Sequence, residues 1–329
     1  VIRRLGSATL LVALLLVVAL AVPLFVSSPY VFHLLVISGI WAVLALSMNV
    51  VLGVTGLLSA AHGALFGIGA YTASLLVVRA EMNSWPALGL AAAAGALGAL
   101  VIGLPTLRAR GPYFVIASLC FGLVVQIVID KWEALTFGPL GVTSVPPMSA
   151  IVLPGLGRLS FDSLTAQYYL VLAALALTTV AVHRVVDSRT GRAWQAIRVN
   201  EELAEALGVP TKRLSLLAFV VSGVIAAVAG ALYGQYIAYV HPADASFWIS
   251  LNAILFVVVG GAGTLAGPIV GAFVMTTAPE TLRLFEEYRL LIFGVLLIVV
   301  IMFFPSGIVG GVRSLGTLLG DVRRRGAGA

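Results

Sequence analysis

Residues 31–52 read VFHLLVISGIWAVLALSMNVVL, a run without a single Asp, Glu, Lys or Arg. Crossing about 30 Å of hydrocarbon takes about 20 helical residues, and a half-buried strand would alternate in polarity instead. At that depth no water bonds the backbone, so a continuous apolar run of this length is read as a spanning helix. Comparable runs recur along the whole chain. Spans are expected at 6–27, 31–52, 57–78, 85–104, 112–130, 167–186, 214–238, 251–260, 264–278 and 289–304. The fold class is therefore an all-α polytopic membrane protein of about ten segments, two of them glycine-broken, forming a single transmembrane domain over 1–329.

Composition agrees with this reading. The chain is 61% hydrophobic and 10% charged, with a mean hydropathy of +1.12, whereas soluble domains are about half apolar and about a quarter charged. Those values exclude an ordinary soluble domain, a nucleic-acid-binding protein and a cytosolic enzyme. With Cys120 as its one cysteine, the chain has no internal disulfide and no thiolate zinc site, and no metal site is expected. Arg3 and Arg4 ahead of 6–27 give that span the look of a signal peptide. Its apolar stretch is longer than a usual signal core and ends at Val26-Ser27-Ser28-Pro29 without a clean small-residue cleavage pattern, so it is read as a retained anchor.

Basic residues orient the chain. With both termini in the cytoplasm, the internal segments hold Arg3, Arg4, Arg108, Arg110, Arg184, Arg189, Arg192, Arg198, Lys212, Arg213, Arg313, Arg323, Arg324 and Arg325, which is 14 of the 19. Arg79, Lys131, Arg158, Arg283 and Arg289 remain outside. The positive-inside rule favours this arrangement. It makes 131–166 the longest extracytoplasmic loop, 187–213 a cytoplasmic loop and 305–329 a cytoplasmic tail, and it requires the stretch 251–278 to break at Gly260-Gly261-Ala262-Gly263.

Two stretches echo one another. Asn49-Val-Val-Leu-Gly53-Val-Thr-Gly56 leads into Leu57-Leu58-Ser59-Ala-Ala-His62-Gly63, and Asn252-Ala-Ile-Leu-Phe256 leads through Gly260-Gly261-Ala-Gly263 into Thr264-Leu-Ala-Gly267-Pro268. Unwound backbone at membrane depth survives only where protein or a water-filled cavity satisfies it, so such pairs point to a transport path. Each is equally readable as a tight cytoplasmic turn between two spans, and both descriptions can hold together. Small residues four apart, at Gly63 and Gly67, Gly230 and Gly234, and Gly263, Gly267 and Gly271, mark seams where helix backbones approach closely.

Ionisable residues are nearly absent from the lipid depth, which weighs against a proton relay. The candidate path residues are instead Asn49, Ser59, His62, Asn252, Gly260 and Gly263; for each polar one the competing role is an interhelical hydrogen bond or packing. Lys131 and Lys212 are the only lysines and neither sits in a glycine-rich phosphate loop. ATP and Mg are thus expected on partner subunits, and this chain binds no cofactor. In the loop 187–213, Asn200 can cap a helix opening with Glu201 and Glu202, and Gly208 with Pro210 can end it. Leu203 and Leu207 give that helix an apolar stripe, with Glu201 and Glu205 on another face. Acidic residues suit an anionic lipid surface poorly, so docking on a protein is favoured over resting on headgroups. Trp194, Arg198, Glu201, Leu203, Glu205, Leu207 and Gly208 are assigned to coupling.

Several runs resemble the LivM-type permease of branched-chain amino acid ABC importers. They are Ala45-Leu-Ser-Met-Asn49-Val-Val-Leu-Gly53-Val-Thr-Gly56, Gly67-Ile-Gly69-Ala70-Tyr71, Arg110-Gly111-Pro112-Tyr113-Phe114, Phe137-Gly138-Pro139-Leu140-Gly141, Gly191-Arg192-Ala193-Trp194-Gln195-Ala196-Ile197-Arg198 and Val259-Gly260-Gly261-Ala-Gly263-Thr264-Leu-Ala-Gly267-Pro268. Their order covers about residues 40–310. One departure is Leu123, where the family often carries an acidic residue. The resemblance implies a permease paired with a homologous second permease, two cytosolic ATPase subunits and an extracytoplasmic substrate-binding protein, in a bacterial or archaeal inner membrane. It implies hydrophobic amino acids as cargo, with urea, short amides or aromatic acids as alternatives. Two different classes, a self-sufficient secondary carrier or channel and a structural membrane subunit, are disfavoured by the missing intramembrane carboxylates and by the paired glycine breaks.

Overall fold

The computed structural model describes residues 28–109, 111–153, 157–281 and 307–311, with Leu20, Pro23, Gly294, Ile298 and Met302. Apart from those few positions, the expected spans 6–27 and 289–304 and the tail 305–329 lie outside the described residues. Helices α1 (Pro29–Met48), α2 (His62–Arg79), α3 (Ser84–Thr106), α4 (Pro112–Lys131), α5 (Glu133–Thr136), α6 (Leu164–Val186), α7 (Arg189–Val199), α8 (Glu201–Ala206), α9 (Thr211–Ile237), α10 (Phe247–Gly260) and α11 (Ala266–Thr281) follow in order. Among the described residues, five helical stretches are long and apolar enough to cross a membrane: Pro29–Val54, Ser84–Thr106, Pro112–Lys131, Leu164–Val186 and Thr211–Ile237. The apolar α10 is shorter.

Local chemistry sets the helix starts. Pro29 and Pro112 occupy first-turn positions, where a missing N–H costs nothing. Asn83 accepts a hydrogen bond from Trp85 N at 3.0 Å and Ser163 accepts one from Ala166 N at 3.2 Å, each satisfying a donor the helix leaves open. Helix α9 forms the centre, packing on α1, α2 and α3. Its small residues permit this: a Cβ at Gly230 would fall on the Phe66 carbonyl of α2, and one at Gly271 of α11 on the Phe256 carbonyl of α10. These are close backbone approaches of the kind the four-apart glycines predicted. Trp41 of α1 stacks on Phe66 with ring centroids 5.6 Å apart. On the outer side of the bundle Leu90, Leu97, Val101 and Leu104 line one exposed stripe of α3, a surface suited to lipid rather than water.

The all-α expectation needs one correction. Strand β1 (Val142–Thr143) pairs antiparallel with β4 (Tyr239–Val240), and β2 (Ile151–Leu153) pairs with β3 (Gly157–Leu159). Strands of two or three residues show no period that a sequence can display. They nonetheless settle backbone groups in the long loop, and the Val142 to Val240 register puts the loop after α4 and the turn after α9 at the same end of the bundle.

Candidate functional site

At the opposite end, two chain reversals and a two-helix elbow meet. Helix α1 passes directly into a π-helical turn, Asn49–Val54, and residues 55–61 are then non-helical. Gly56, at φ +78°, makes the turn, and Leu57 N reaches back to the Val51 carbonyl at 3.0 Å. Serines replace the helical ladder for the buried part of this segment. Ala60 N donates to Ser118 Oγ of α4 at 3.0 Å; Ser250 Oγ of α10 donates to the Ala60 carbonyl at 2.8 Å and accepts from Gly63 N at 2.7 Å. Buried backbone groups left without such partners would cost free energy comparable to a lost hydrogen bond each.

The second reversal lies between α10 and α11. Gly261 (φ +123°) and Gly263 (φ +80°) carry it, and Thr264 Oγ1 bridges it internally, donating to the Gly261 carbonyl and accepting from Gly267 N, both at 2.9 Å. Asn49 ties it to the first. Its Oδ1 accepts from Gly263 N at 2.9 Å, and its Nδ2 donates to the Thr264 carbonyl at 3.0 Å.

The elbow comprises α7 and α8, joined at Asn200. Asn200 ends α7, with its N–H on the Ala196 carbonyl, and starts α8, with its side chain accepting from Leu203 N at 2.9 Å. Trp194 is fully buried and its Nε1 donates to the Leu214 carbonyl at 2.8 Å, which seats α7 on the base of α9. One turn later the Arg198 guanidinium donates to the Gly53 carbonyl. Helix α8 closes in a left-handed turn at Gly208 (φ +84°), where Gly208 N bonds the Glu205 carbonyl and Val209 N bonds the Ala204 carbonyl, both at 3.0 Å. Ala204 faces inward, while Leu203 (58%) and Leu207 (77%) are exposed, as is Glu205; Glu201 is half-buried.

The residues picked from the sequence thus separate by position. Asn49, Gly263 and Arg198 come together at the reversals, beside the end of α10 at Gly260. Ser59 is buried and makes a local bond, accepting from Ala61 N at 3.2 Å. His62 is buried edge-on to Phe219, and neither ring nitrogen has a hydrogen-bond partner among the described residues. Asn252 is apart from all of these, exposed on α10 on the side of Trp248. Ser118 and Ser250 were not singled out beforehand, and of α7 only Trp194 and Arg198 were, not the helix itself. The available signal was a lone hydroxyl at mid-face of each apolar helix, facing unwound backbone. Among the described residues no three His, Cys, Asp or Glu side chains group as a metal site.

A core of long apolar helices with apolar outer stripes defines a multi-pass helical membrane protein. Residues 30–301 match the family described as branched-chain amino acid transport system / permease component, and the chain belongs to that family. It is 31% identical over 316 residues to the high-affinity branched-chain amino acid transport system permease protein LivM of Escherichia coli (strain K12), covering 91% of this chain and 74% of LivM. It is 28% identical to LivH of Salmonella typhimurium, over 82% of this chain and 91% of that protein. BraD of Pseudomonas aeruginosa is 25% identical, over 84% of this chain and 93% of BraD. No solved structure matches the chain.

Proposed function

We propose that this chain is one of two homologous permease subunits of an ATP-driven importer for branched-chain or other hydrophobic amino acids, with ATP and Mg held by two separate cytosolic ATPase subunits and cargo delivered by an extracytoplasmic binding protein. Membership of a permease family whose named relatives serve branched-chain amino acids supports the cargo class. The observation that carries the mechanism is the elbow: it is seated on α9 by Trp194, bonded to the first reversal by Arg198, and offers exposed Leu203 and Leu207 outward. An apolar pair projecting from a short capped helix fits insertion into a partner protein. In this reading the chain crosses a bacterial or archaeal inner membrane ten times with both termini cytoplasmic, and the path runs between the two permeases. The amide of Asn49 is spent on the second reversal, so its role in transport is to hold backbone, and Asn252 is the polar group left facing outward. Weak, transient polar contacts suit release of a zwitterion. The test is uptake by the reconstituted complex of leucine, isoleucine, valine, phenylalanine, urea and acetamide. Saturable, ATP-dependent leucine uptake with no urea uptake is expected; uptake of urea or acetamide alone would replace the cargo class, and uptake without ATPase subunits would overturn the mechanism.

A further inference from the structure

We infer that Arg198 is a positioning residue that bolts the cytoplasmic elbow to both chain reversals, so that movement of the elbow re-aims α1 and α10 together. This deepens the transport reading above and rests on it.

Three backbone positions converge on this side chain. Its guanidinium caps the Gly53 carbonyl, which lies at the C-terminal end of the 26-residue helical stretch Pro29–Val54. Such an end leaves carbonyls without intrahelical partners and carries the negative pole of the helix dipole, so a cation there is favourable. The stem of Arg198 lies against Gly56, where a Cβ would come within 3.1 Å of Arg198 Cγ and 3.4 Å of Arg198 Cα. The guanidinium also fills the space a side chain at Gly263 would need. Arg198, although exposed on its outer side, therefore lies against two left-handed glycine turns that come from reversals more than 200 positions apart, and the Asn49 amide joins those reversals to each other. A side chain at either glycine would close the slot.

The same residue stands two positions before Asn200, the shared cap of α7 and α8. A push on Leu203 and Leu207 is passed through a joint one residue long, with no slack loop to absorb it. Displacing the elbow withdraws the guanidinium from Gly53, frees the end of the π-helical turn and, through Asn49, the second reversal. A π-helical turn suits this role because the chain can rewind to α-helical bonding by shifting one residue of register.

The experiment uses the assembled permease–ATPase complex in liposomes and reads amino acid taken up per ATP hydrolysed, with association measured by co-purification. Arg198→Met keeps the stem that packs on Gly56 and removes the donor; Arg198→Lys keeps a cationic donor. Arg198→Met is expected to co-purify with the ATPase and to lower the uptake-to-hydrolysis ratio at least tenfold, with Arg198→Lys recovering part of it. A wild-type ratio in Arg198→Met, an equal fall in Arg198→Lys, or loss of the complex in Arg198→Met would each overturn the inference. Leu203→Ser with Leu207→Ser is the companion variant: normal association and ratio there would sink the docking reading, whatever Arg198 does.

Discussion

Gly263 gives its backbone N–H to Asn49 Oδ1 at 2.9 Å across 214 positions of chain, and Asn49 Nδ2 answers to the next carbonyl, that of Thr264. A side-chain amide matches a peptide group in both donor and acceptor, so one residue satisfies two backbone groups that a reversal leaves open. Asn49→Leu keeps the size and removes both bonds. Losing two part-buried hydrogen bonds is expected to cost about 1–3 kcal/mol, read as a lower melting temperature of the detergent-purified protein. An unchanged melting temperature would mean that the amide holds nothing together.

Ser250 makes a comparable double contact, to the Ala60 carbonyl and to Gly63 N, whereas Ser59 makes one short-range bond to Ala61 N. Ser250→Ala is therefore expected to destabilise by about 1–3 kcal/mol and Ser59→Ala by about 1 kcal/mol or less. Parallel thermal melts decide the order, and a larger loss in Ser59→Ala would contradict it.

What could be read from the sequence divides along physical lines. Long apolar runs announce spanning helices because lipid demands about 20 of them in a row, and the α8 caps were legible because Asn200, Glu201, Glu202 and Gly208 are local chemistry. Helix α7 was not legible as a helix: its buried face, Gly191, Trp194 and Ile197, holds only two large apolar residues, set among arginines, so the apolar stripe is too short to stand out. Asn49 and Asn252 look alike in sequence, each a polar residue in an apolar run. Only the tertiary partner separates them, the second reversal for Asn49 and an exposed face for Asn252. Arg198 is assignable to the coupling loop from sequence, but its partners are not: the Gly53 carbonyl and the space beside Gly263 are backbone features with no sequence signature.

Sidedness gives a direct check. Leu140, 78% exposed, lies in the loop after α4, and Glu202 is exposed on α8. With Cys120 replaced by Ser, a cysteine at Leu140 is expected to react with a membrane-impermeant maleimide in intact cells, and one at Glu202 only after the membrane is opened. Labelling of both from outside would remove the charge-based orientation.

Asp244 sits in the turn before α10, its carboxylate accepting from His241 N at 2.8 Å. Burial raises its pKa above the usual carboxylate value, against the opposing effects of that hydrogen bond and of the His241 ring. A raised folded-state pKa means that the protonated form suits the fold: this contribution is fully present below the unfolded pKa near 3.8 and is lost as pH rises through the folded value. Asp244→Asn keeps an oxygen for His241 N and carries no charge. Relative to wild type, its melting temperature is expected to gain between pH 4 and pH 8; a relative loss over that range would show that the carboxylate form is the one the turn favours.

Gly208 separates backbone cost from contact cost in the elbow of α7 and α8. Its φ of +84° lies where β-branched residues are strained, yet a Cβ there meets no atom within 4 Å. Gly208→Val is thus expected to suffer only from the backbone, by about 1–2 kcal/mol, unwinding the turn made by Gly208 N and Val209 N and re-aiming Leu203 and Leu207. Gly208→Asn, which tolerates left-handed geometry, should be close to wild type. Because α8 projects from the bundle, melting of the permease alone should change little in either variant, and the same holds for Leu203→Ser with Leu207→Ser. The difference is expected in ATPase co-purification, reduced in Gly208→Val and in the double serine variant and retained in Gly208→Asn. Glu205→Ala should be milder, since a partly exposed charge pair with the ATPase is worth about 1 kcal/mol or less. Equal co-purification of all four variants would move the docking surface elsewhere, to the shorter connection 107–111 between α3 and α4.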